Sequence, residues 1–174
     1  LGYIISTKGN SELAQEVIDE SEEINWLFNV NTDRQNIIYF LGGDKLRSVG
    51  DVWTTTDTTS DVENTYGFDK FNGAQITKTI YSFNKIKEKR GDLIAWVEIK
   101  SELDVNGIGT TWDETVEFSQ TGEFLGILKF NLTKGLIISN KINGAMKLRG
   151  KDLGDDSSWN ASIEIALKQK GKLK

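Results

Sequence analysis

The run TTWDETVEFS places Asp113, Glu114 and Glu117 directly after Trp112. Two carboxyls about 5 to 10 Å apart beside an aromatic platform are the equipment of a glycosidase, one group protonating the leaving oxygen while the other acts as base or nucleophile. In an extended strand Asp113 and Glu117 differ by an even number and share a face. The exposed face of an antiparallel strand carries the same residue types, so the pair reads equally as solvated surface. Asp57, Asp61, Glu63 and Asp69, and separately Asp152, Asp155, Asp156 and Ser157 around Gly154, offer hard oxygen ligands of the kind calcium takes. Neither set has the regular ligand spacing of a dedicated calcium loop, and a water-satisfied loop is the other reading of each.

The residues that are absent close off more chemistry than those present open. There is no Cys and no His, which removes disulfides, thiolate nucleophiles, thiolate or imidazole metal sites and a Ser-His-Asp triad. There is also no Pro, where average usage would supply roughly eight or nine. No catalytic residue, metal or cofactor is assigned. The sequons at Asn131 (NLT) and Asn160 (NAS) matter only in a eukaryotic secretory route.

The tryptophans carry the stronger functional expectation. Trp26, Trp53, Trp96, Trp112 and Trp159 lie on separate segments, and rings converging on one concavity would make an apolar pocket suited to an acyl chain. Trp26, Phe28, Trp53, Trp96 and Trp112 are therefore the candidate ligand contacts. A dry core built from the same rings is the alternative.

Something must hold those rings in place. At 174 residues with 37% hydrophobic and 27% charged composition, the chain reads as one folded domain over 1–174. A net charge of −5 argues against a nucleic-acid partner, since phosphate contacts need a basic surface. The cluster Lys85, Lys87, Lys89 and Arg90 reads as a solvated turn. No apolar run reaches the length of a transmembrane helix. The opening at Leu1, running straight into GYIIS, reads as a mature or trimmed fragment with a signal peptide, and further strands, upstream.

Helical periodicity marks an amphipathic helix over 12–29, capped by Ser11, and a second from Asn31 or Thr32 to Leu41, stopped by Gly42. From Val49 the period changes to two. TKTIYSFNKI and DLIAWVEIKSEL alternate around a KEKRGD hairpin loop, with Ile94 and Trp96 opposite in parity to Ala95, Val97 and Ile99. DVNG, QTGE, TKG and RGKDLGDDSS read as the turns that join the later strands. In LRSVGDVW, Gly50 supplies the turn, Asp51 bonds nearby amides, and Trp53 points inward. The architecture expected is α+β: a curved antiparallel meander of about seven or eight strands, a partly open barrel, with the two helices across its concave side.

The element order, the Val49-Gly50-Asp51-x-Trp53 motif and the later Gly122, Phe124, Phe130, Gly135 and Leu136 pattern resemble an uncharacterised family of secreted or lipid-anchored bacterial envelope proteins. The resemblance implies a secreted, periplasmic or outer-membrane-anchored location and carries over no catalytic residue. The architecture is also similar in outline to lipoprotein-carrier and related periplasmic lipid-binding folds, an analogy of shape alone. The expectation is thus a non-enzymatic envelope protein that binds a lipid or other apolar molecule in its curved sheet. A packed structural module with an envelope protein partner is the alternative.

Overall fold

The computed structural model describes residues 2–9, 46–65 and 68–170. Seven strands are present: β1 Gly2–Gly9, β2 Val52–Thr65, β3 Phe68–Lys89, β4 Asp92–Thr110, β5 Thr115–Asn131, β6 Leu136–Asp152 and β7 Ser158–Lys170. All pairings are antiparallel, in the order β1-β7-β6-β5-β4-β3-β2. Strands β2 to β7 form a six-stranded meander, and β1 returns to pair with β7. The strands β1 and β2 stand at opposite ends of that order and do not pair, so the sheet is not closed. The expected helices, over 12–29 and from 31 or 32 to 41, lie outside the described residues. No helix occurs among the described residues.

The antiparallel meander is as expected, but its strands are longer and divided differently. DVNG and QTGE make no turn: β4 runs straight through Asp104–Gly107, and β5 through Gln120–Glu123, joining two segments read as separate strands. Side-chain alternation explains this, because it is unbroken at both places. Val105 and Gln120 face the buried side while Asp104, Asn106, Thr121 and Glu123 face out. The chain reverses instead at residues 111–114, where the Thr111 amide donates to the Glu114 carbonyl and the Glu114 amide donates to Thr111 Oγ1. KEKRGD is also tighter than a six-residue loop. Only Arg90 and Gly91 leave the ladder, both with positive φ (54° and 79°), the signature of a two-residue type I′ hairpin.

One face of the sheet is apolar and buried. Register places Trp53, Tyr81, Ile99, Gly126 and Ile142 in one row across five strands, and Phe83, Val97, Leu128 and Asn140 in the next. The opposite face carries lysines, carboxylates, threonines and asparagines. Two buried clusters result. One gathers Phe68, Phe71, Phe118, Phe124, Met146 and Trp159 with their aliphatic neighbours; the other gathers Trp53, Tyr81, Phe83, Val97, Leu128 and Phe130.

Rings from alternate strands meet on this face, so it is concave. Phe68 of β3 touches Phe118 of β5 (centroids 5.5 Å), and Phe118 touches Trp159 of β7 (6.2 Å). The intervening strands have glycine where a side chain would block the contact. A Cβ on Gly109 would enter the Phe68 ring, one on Gly150 the indole of Trp159, and one on Gly144 the ring of Phe124. These glycines are sockets for rings, which lets rings from alternate strands meet across the intervening one.

Candidate functional site

The stretch that enters the sheet builds the rim of the concave face. Gly50, at φ 98°, turns the chain and donates its amide to the Phe83 carbonyl, while Asp51 accepts from the Ser48 amide and its own carbonyl accepts from Phe83. The turn thus docks on β3 and delivers Trp53 inward, as its residue types suggest. Trp53 stacks on Tyr81 with centroids 5.2 Å apart and planes 17° apart, and the Arg47 guanidinium sits 4.8 Å from the indole.

Deeper on the same face the polar atoms are not satisfied. Asn140 is fully buried, and neither Nδ2 nor Oδ1 has a hydrogen-bond partner; the Nε1 atoms of Trp53 and Trp159 are likewise buried and unpartnered. Asn140 pairs across strands with Leu128 of β5 and with Gln169 of β7, one row from Ile142. Other inward polar groups do find partners, Thr79 and Ser101 sharing a hydroxyl hydrogen bond of 2.9 Å and Gln120 Nε2 donating to Met146 Sδ at 2.9 Å. Asn131, also fully buried, shows what a satisfied carboxamide looks like here. It donates to Asp92 Oδ2 (3.0 Å) and accepts from the Lys134 amide (3.0 Å), locking the β5–β6 turn. Lys134 Nζ donates to the same Asp92 oxygen at 2.7 Å and holds that carboxyl below the usual carboxylate range.

The expected tryptophan cluster does not form among the described residues. Trp53 faces inward. Trp96 faces out, on the polar side of β4, between the ammonium groups of Lys85 and Lys129. Trp112 is 89% exposed in the turn between β4 and β5. Trp159, which was not among the proposed contacts, is the second indole on the concave face. Trp26 and Phe28 lie outside the described residues. Parity separates Trp96 from Trp53, and the unforeseen turn at 111–114 removes Trp112 from the sheet.

The carboxylate pair dissolves for the same reason. Asp113 sits in that turn, accepting from Thr111 Oγ1 at 3.0 Å, whereas Glu117 is on the outer face of β5 opposite Lys151. Of the two acidic stretches read as loops, the one at 152–157 is a turn, whereas Asp57, Asp61 and Glu63 lie in β2 and Asp69 in β3, because the threonine-rich run pairs along β3 as strand. Asp152 Oδ1 accepts from the Gly154 amide (2.6 Å) and Asp155 Oδ1 from the Ser157 amide (2.8 Å), and the hydrogen bonds from Ser157 hold the Asp155 carboxyl low. Asp57 and Asp69 are exposed, and the side chains of Asp61 and Glu63 lie outside the described set. Among the described residues no group of three or more acidic side chains is placed to hold a metal.

A groove of ≈ 970 Å³ is lined by outward residues such as Ser119, Lys147, Arg149 and Lys151 and also by Phe118 and Trp159 of the buried face. No helix among the described residues is long and apolar enough to cross a membrane. Comparison with protein-family models, characterised proteins and solved structures finds no match to this chain.

Proposed function

We propose that this is a non-enzymatic protein of the bacterial envelope that holds an apolar molecule bearing one hydrogen-bonding group, such as a lipid carbonyl or hydroxyl, against the concave face of its sheet. The observation that carries the reading is Asn140. A carboxamide buried without partners costs about 1–3 kcal/mol of desolvation for each atom left unpaired. A ligand oxygen beside Nδ2 would recover part of that cost, and the surrounding Leu128, Ile142 and Ile137 suit an alkyl chain. Trp53 Nε1 offers a second donor at the rim.

A second reading, a packed module whose partner is another envelope protein, draws support from the ring-and-glycine packing around Phe118, which fills its half of the face. The two separate in one experiment. Native mass spectrometry of detergent-free protein, followed by organic extraction, is expected to reveal a bound apolar species at fixed stoichiometry that is lost in Asn140→Leu while the variant stays folded. A clean apo mass, unchanged on adding a panel of fatty acids and phospholipids, would reject ligand binding and leave the packed module.

A further inference from the structure

The outer face is not uniformly mixed in charge. Register aligns Val52, Ser82, Glu98, Ile127, Lys141 and Lys168 in one row, and Lys85, Trp96, Lys129 and Ser139 in the next. On the central strands β3 to β6 these two rows hold Lys85, Lys129 and Lys141 and a single carboxylate, Glu98, which accepts a hydrogen bond from Asn84 Nδ2. Such segregation stands out in a chain of net charge −5.

At the centre of the basic surface is the part-exposed Trp96. Lys129 Nζ lies 5.3 Å and Lys85 Nζ 5.8 Å from its ring centroid, both within cation–π range. Beside them Ile127 is 49% and Leu125 58% exposed, adjacent aliphatic residues on the same outward face. An indole between two ammonium groups, with bare aliphatic side chains alongside, combines what a charged membrane interface selects. The ring sits at headgroup depth, the alkyl groups enter the acyl boundary, and the lysines meet anionic headgroups with their stems lying along the apolar surface.

We infer that this surface, centred on Trp96 with Lys85, Lys129 and Lys141, docks the protein on an anionic phospholipid bilayer. It lies on the opposite face of the sheet from Asn140, so docking leaves the concave face free, and the inference is independent of ligand binding there. The acidic turns at 111–114, between β4 and β5, and 153–157, between β6 and β7, lie at the end of the sheet remote from Trp96 in the strand register. Trp112 is exposed at that end and serves as an internal control.

The test uses the whole chain with vesicles of phosphatidylcholine containing phosphatidylglycerol, and of phosphatidylcholine alone. Co-sedimentation is expected with the anionic vesicles only, weakening as salt is raised. Lys85→Glu combined with Lys129→Glu should reduce it about tenfold or more, with an unchanged circular dichroism spectrum, since both changes are on the solvated face. Brominated lipid should quench tryptophan fluorescence in the wild type and in Trp112→Phe, and the quenching should disappear in Trp96→Phe. That readout stands even if the double variant misfolds. Absence of binding to anionic vesicles would overturn the inference, as would quenching that survives Trp96→Phe or vanishes in Trp112→Phe. Retention on a heparin column without vesicle binding would also overturn it, by pointing to a soluble polyanion.

Discussion

Phe68 and Phe118 meet edge to face, 5.5 Å between centroids and 74° between planes, although β4 runs between their strands. Gly109 leaves the opening through which they touch. Gly109→Ala is therefore expected to destabilise the protein by about 1–3 kcal/mol through overpacking. Phe68→Ala should cost about 3–5 kcal/mol by emptying the socket. Because one change removes the clash that the other creates, Gly109→Ala should be close to neutral in the Phe68→Ala background. Urea denaturation of the four proteins checks this, and strict additivity would count against the socket.

Asn140→Leu replaces two buried unpartnered polar atoms with methyl groups on the same branched skeleton. Thermal and denaturant unfolding of ligand-free protein should show a gain, about 1–3 kcal/mol for each polar atom removed less the cost of fitting the larger side chain. A loss of that size would mean that the carboxamide is satisfied in solution, by water or by another group.

The Arg90–Gly91 hairpin places an ordinary L residue at φ 54°. Left-handed backbone costs a non-glycine residue roughly 1–2 kcal/mol, less for Asn. Arg90→Asn should raise the midpoint of unfolding slightly, and Gly91→Ala should lower it by about that cost. Equal midpoints for both variants would remove the turn from any control of stability.

Asp92 provides a pH-dependent contribution of known sign. The Lys134 hydrogen bond, with a further one from Asn131, holds the folded-state carboxyl below its unfolded value against the opposing effect of burial. The resulting stabilisation is present above the unfolded pKa and is lost as pH falls through the lower, folded one. Melting temperatures of wild type and Lys134→Ala should differ at neutral pH and converge below the ordinary carboxylate range, about pH 4 and under. A gap that stayed constant with pH would show that Lys134 acts by packing alone.

Much of the sheet is legible as two-residue periodicity. The parity of Ala95, Val97 and Ile99 against Trp96 already places that indole on the other face, and the structure keeps it there. What misleads is glycine. In DVNG and QTGE, Gly107 and Gly122 look like turn residues, yet they lie mid-strand beside the rings of Phe71 and Phe124. Conversely, the turn at 111–114 has no glycine or proline and is closed by Thr111, so it reads as strand. Asn140 was findable: it shares even parity with Ile142, Met146 and Leu148 and so had to face inward. The absence of a partner, however, depends on every side chain around it, which periodicity does not reveal.

The pairing of rings with glycines also bears on how the chain finds a single alignment. A slip of two residues between long strands keeps every apolar residue facing inward, so polarity alone does not penalise it. Along β5 and β6 the inner residues face each other as Phe118 and Gly150, Gly122 and Met146, Phe124 and Gly144, Gly126 and Ile142. Shifted by two, Phe124 would confront Met146 or Ile142, and in one direction Gly122 would face Gly144. One place would be overfilled and another empty, each at a cost of kilocalories. Large and absent side chains thus form a complementary code along the hairpin, one that sets its alignment apart from every two-residue neighbour.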